Sequence, residues 1–117
     1  MTDIRKLTTD YVAAFDALDI DKVGSFFAEE FELTDPDVTA LTPRNNVLIY
    51  IKSLFDTHES LSFKAHNIIV DGNSSVIHFT LTLGPLILDG VDIITWESAK
   101  MINMKAYLTP RRSDELK

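Results

Sequence analysis

The chain has 117 residues, 45% of them apolar and 25% charged, which is the composition of one globular domain with a core. A formal net charge of −7 argues against a phosphate backbone or an anionic membrane as partner, since both require a basic face. The absence of cysteine excludes disulfides, a thiolate nucleophile and a Cys-based zinc site.

Other exclusions follow from spacing. His58, His66 and His78 stand 8 and 12 residues apart, which is no metal-ligand pattern, so neither metal nor cofactor is expected. No apolar run approaches the roughly 18 residues of a membrane helix, and the opening "MTDIRKLTTD" has no apolar h-region. The "DEL" near the end is followed by Lys117, so it is no terminal retention signal, and nothing directs the "NSS" at Asn73 to glycosylation. A cytoplasmic protein is the expectation.

In chain order, apolar residues recur at Ile4, Leu7, Tyr11, Ala14, Phe15 and Leu18, one stripe of a helix capped by Asp3. "LDID" ends it and opens a second, short helix carrying Val23, Phe26 and Phe27 on one side. "EEFELTD" alternates Phe31 and Leu33 with acids, a short strand that stops at Asp35-Pro36. Residues 37–46 read as a loop, and "PRNNVLIYIKSLFDTHES" as a third helix with Val47, Tyr50, Ile51, Leu54 and Phe55 on its apolar side.

The period then changes to two. Strands are expected at 62–70, 75–83, 86–97 and 101–108, with "DGNSS" and "GP" (84 and 85) as turns. Asp89-Gly90 falls inside the third strand as an expected bulge, with a hairpin there as the alternative. Residues 1–108 form one domain and 109–117 a polar tail. Helices first and an antiparallel meander after them give an α+β fold.

Asp92 is the conspicuous residue. It interrupts the β-branched run "GVDIITW" and shares a face with Ile94 and Trp96. A carboxylate among such neighbours must find a partner or hold a proton. The strand is apolar at both parities, so one face is expected to cover the helices and the other to meet a second copy of the chain.

The order of elements, with "YVAAFDALDIDKVGSFFAEEFELTDP" (11–36), "VDIITW" (91–96) and "MKAYL" (104–108), resembles the SnoaL-like and ketosteroid isomerase branches of the nuclear transport factor two-like superfamily. The resemblance implies a cone-shaped fold in which three helices pack on a curved antiparallel sheet around an apolar pocket, and a homodimer joined through the outer sheet face. In ketosteroid isomerases a tyrosine precedes an aspartate-proline pair by 24 residues, the separation of Tyr11 and Asp35 here, and a second aspartate stands where Asp92 does.

The implied roles are Asp35 as general base, with Tyr11 and a protonated Asp92 as donors to the oxygen of a dienolate. Asp92 suits the last role by its apolar setting. Activity is then expected to fall only in acid. The family also suggests that Tyr50 extends a hydrogen-bond chain to Tyr11. Phe15, Phe27, Phe79, Trp96, His66, His78 and Tyr107 are the remaining candidate pocket residues. The glycine that usually opens the family's third helix is Asn45 or Asn46 here, and "ESAKM" lacks its usual glycine before Lys100.

The leading expectation is an acid/base enzyme, isomerase or cyclase, acting on a small apolar carbonyl compound. One alternative is a dehydratase with His66 or His78 as base; another is a non-catalytic module that binds a small ligand or a protein. An epoxide hydrolase is disfavoured because no arginine lies between Arg44 and Arg111.

Overall fold

A computed structural model describes residues 2–111. Helix α1 (Ile4–Asp16) begins where the Asp3 carboxylate accepts a hydrogen bond from the Lys6 amide, and α2 (Ile20–Ser25) begins in the same way at Asp19. Strand β1 (Phe27–Thr34), helix α3 (Arg44–Thr57) and strands β2 (Ser62–Asp71), β3 (Ser74–Leu83), β4 (Leu86–Glu97) and β5 (Lys100–Pro110) complete the chain. Phe27, expected on the second helix, already belongs to β1.

The strands lie in the order β1-β5-β4-β3-β2, and the sheet is not closed. β2 to β5 form the expected meander, whereas β1 adds to β5 in parallel, with Leu33 opposite Met104. The sheet is therefore mostly, not wholly, antiparallel. α1 lies over β2 and β3, and α3 lies against β1, so the helices cover one face. Between them the core gathers Val23, Phe31, Val47, Ile77, Ile94 and Met101, all fully buried.

Two expectations about the strands need correction. Asp89-Gly90 is not a bulge: β4 pairs continuously there with both neighbours, and the register shifts at Ala65/Asn67 and at Thr95/Trp96 instead. Gly90 answers a close approach, since a Cβ there would collide with the Tyr107 carbonyl and the Leu108 side chain. β5 continues to Pro110, and Arg111 pairs with Asp89, so the tail does not start at 109. Its remainder, 112–117, lies outside the described residues.

Candidate functional site

Alternation along β4 sends Asp92, Ile94 and Trp96 to the helix-covered face and Asp89, Val91 and Ile93 to the other. Asp92 is laterally paired with Ile77 and Ala106, and the small Ala106 leaves space beside it. That space belongs to a cavity of about 90 Å³. Its wall comes from Tyr11 and Phe15 of α1, from Phe27, Phe31 and Leu33 of β1, and from Tyr50, Ile51 and Leu54 of α3. The sheet adds Phe63, Phe79, Leu81, Asp92, Met104, Ala106 and Leu108, and Asp35 lies just beyond β1. Among these sixteen residues only Tyr11, Asp35, Tyr50 and Asp92 bear polar side chains.

Asp35 is held from three sides. Its Oδ1 accepts from the backbone amides of Asp37 at 2.8 Å and Val38 at 3.0 Å, the local turn that a residue before proline favours. Its Oδ2 accepts from the Tyr50 hydroxyl at 2.7 Å. Tyr50 thus reaches Asp35, not Tyr11 as the family resemblance suggested. Burial raises the Tyr50 hydroxyl well above its ordinary value, and the Asp35 carboxylate it donates to adds to the shift.

Asp92 is the opposite case. It is 5% exposed, and its carboxyl has no hydrogen-bond partner among the described residues. Among the same residues no fully enclosed side-chain nitrogen or oxygen lacks a partner, so the Asp92 oxygens open into the cavity. Burial pushes its carboxyl up to about 7, and the nearby Asp35 charge pushes in the same direction. Near neutral pH it therefore divides between acid and carboxylate. Tyr11 is 2% exposed as a residue, and its hydroxyl is likewise raised by burial first and by Asp92 second.

Among the other candidates, Phe15, Phe27 and Phe79 line the cavity and four do not. His66 and His78 are exposed on the outer face, their ring centroids 5.3 Å apart, and His66 Nε2 lies 2.7 Å from Thr80 Oγ1. Tyr107 is 57% exposed beside Val91, because Met104, Ala106 and Leu108 hold the inward parity of β5. Trp96 is buried on the inner face but away from the cavity, with its indole N–H donating to Ser75 Oγ at 2.9 Å. No histidine base is thus available in the cavity, and the dehydratase alternative loses its residue.

Ile51 and Leu54 of α3, and on the strands Phe31, Leu33, Phe63, Leu81, Met104, Ala106 and Leu108, are wall residues that the sequence did not single out. The helical stripe of α3 and the alternation along the strands are the available signals. No helix among the described residues is long and apolar enough to cross a membrane.

A model of the SnoaL-like domain matches residues 8–104. An NTF2-like protein of unknown function from Cytophaga hutchinsonii superposes with a TM-score of 0.81 at 10% identity, over 93% of this chain and 92% of that one. A Kribbella flavida protein provisionally assigned as a ketosteroid isomerase superposes with a TM-score of 0.82 at 17% identity, over 94% and 80%. A de novo designed protein with a curved β-sheet does so with a TM-score of 0.78 at 13% identity, over 99% and 94%. At such identities the likeness concerns the fold alone. No curated protein matches the chain.

Proposed function

Because the chain belongs to the SnoaL-like domain family, we propose that it carries out proton transfer on a small apolar carbonyl compound, using its own side chains as acid and base. The observation that carries this reading is the presence of Tyr11, Asp35 and Asp92 on the wall of one cavity that is apolar apart from them and Tyr50. In the proposed reaction the carbonyl oxygen accepts hydrogen bonds from the Tyr11 hydroxyl and the protonated Asp92 carboxyl. Asp35 takes the proton from the carbon beside the carbonyl, and the electrons move to the oxygen to give a dienolate. The proton then returns from Asp35 to the γ-carbon as the oxygen's charge collapses back, leaving a conjugated enone. A carboxylate oxygen has two lone pairs, so Oδ2 can accept from Tyr50 and still take the substrate proton.

Size restricts the substrate. A water needs about 10–15 Å³ of cavity, so about 90 Å³ suits a ligand of several non-hydrogen atoms and not a four-ring steroid. Short β,γ-unsaturated ketones are the substrates to offer, with the conjugated product followed by its ultraviolet absorbance. Asp35→Asn, which cannot accept the proton, should lower the rate by about 10²–10⁴. Turnover unchanged by this substitution would overturn the assignment of the base.

A second reading, a non-catalytic ligand-binding module, is favoured by the three donors that already engage Asp35. It predicts no turnover and ligand affinity indifferent to Asp35→Asn. For the outer face we propose a second copy of the chain as partner. Ile69 and Ile93 lie in one register row through Val76, and with Tyr107 they are 40–57% exposed. Ile93→Lys should then shift the sedimentation of the protein from dimer to monomer.

A further inference from the structure

We infer that the same cavity takes a small organic ammonium ion, of about the bulk of tetramethylammonium, between Asp35 and Asp92. The inference goes beyond the proton-transfer reading, because it concerns a positively charged ligand and the other protonation state of Asp92.

Charge comes first. The cavity wall contains two carboxyl groups and no lysine, arginine or histidine. Of the two, Asp35 already accepts from its turn and from Tyr50, while Asp92 is buried, has no partner among the described residues and opens into the cavity. In its ionised form such a group calls for a counter-charge that the described residues do not supply.

The rest of the wall says what kind of cation. Seven of the sixteen lining residues are aromatic, and the π-faces of such rings attract a poorly hydrated cation. A metal ion would instead require several oxygen ligands, and besides Asp92 the wall offers only two tyrosine hydroxyls and Asp35, which already accepts three hydrogen bonds. The methyl groups of an alkylammonium suit the leucine, isoleucine and phenylalanine side chains, and its charge suits the two carboxylates. Its few non-hydrogen atoms suit a space of about 90 Å³.

Binding and protonation are coupled. Asp92 shares the cavity wall with Tyr11 of α1, Tyr50 of α3 and Asp35 beyond β1, while its sheet neighbours Ile77 and Ala106 carry no charge. The Asp35 charge opposes ionisation of Asp92. A cation between them removes that opposition, so the Asp92 proton leaves to solvent as the ammonium enters. The neutral carbonyl ligand of the proton-transfer reading needs that proton retained, and the two ligands should therefore respond to pH in opposite senses.

The test is calorimetric titration of the whole protein with tetramethylammonium and, as a neutral molecule of equal heavy-atom count, tert-butanol. Affinity for tetramethylammonium should rise by about tenfold or more between about pH 5.5 and about pH 8.5 as the ionised fraction of Asp92 grows. Tert-butanol should show no such rise. Titrations near neutral pH in two buffers of different ionisation heat should report a proton released on binding, a readout that needs no variant. Asp92→Asn should weaken binding at the higher pH and abolish the pH dependence. The inference is overturned by a lack of saturable binding at either pH, by tert-butanol binding equally well, or by a pH dependence that survives Asp92→Asn.

Discussion

Asp89 and Asp92 stand three residues apart on one strand and have opposite fates. Asp89 projects from the outer face, where Arg111 reaches it through two nitrogens at 2.7 and 2.9 Å and the Thr80 hydroxyl donates at 2.8 Å. Those partners, Arg111 foremost, hold its carboxyl down at about 2. Asp92 projects inward among apolar side chains, finds no partner among the described residues, and is raised to about 7. The residue type and the strand are shared; the pleat alone separates a satisfied surface charge from an acid that keeps its proton near neutrality.

Substitutions at the two positions should be correspondingly unequal. The largest effect is expected on turnover of a short β,γ-unsaturated ketone, where Asp92→Leu removes an oxyanion donor and should cost about 10²–10³ in rate. Asp92→Asn should cost less, because an amide still donates. Since the wild-type donor is lost as Asp92 ionises, the rate should fall not only in acid but also as pH rises through about 7, and this upper limb should vanish in Asp92→Asn. Equal and severe losses from both substitutions would instead make Asp92 the base.

Stability comes next. The Asp92 value is raised on folding from 3.8 to about 7, so the folded state binds the extra proton and stability falls as pH rises across that window. Above it the full penalty applies, and Asp92→Asn should gain about 2–4 kcal/mol over wild type in urea unfolding. A gain of the same size in acid would refute the linkage. Asp89→Asn should have the smallest effect, on stability only and with the opposite sign. Its contribution is present above about 4 and fades as pH falls towards about 2, so the variant should match wild type in strong acid and leave turnover unchanged.

Periodicity made much of this legible. The alternation "VDIITW" placed Asp92 on the face of Ile94 and Trp96, and the helical stripe turned Tyr11 inward. It did not say how far along a face each residue sits. Trp96 lies four residues from Asp92, about 13 Å along an extended strand, and so packs against Ser75 outside the cavity. Tyr107 follows the outward parity of β5, opposite to Met104, Ala106 and Leu108, which alternation along "MKAYL" already encodes. His66 falls where β2 shifts register against β3, a local feature that pattern reading did not detect. The contact of Tyr50 with Asp35 depends on how the turn after β1 meets α3, a long-range arrangement that spacing does not encode.

The parallel pairing of β1 with β5 bears on the order of assembly. The meander of β2 to β5 joins sequence neighbours through short turns, whereas Leu33 must wait for Met104 from the far end of the chain. Contacts so distant in sequence close slowly. Asp35, hung from the end of β1, is thus expected to be seated last, and a chain interrupted before β5 would leave β1 without a sheet neighbour and Asp35 held from outside its own turn only through Tyr50 of α3.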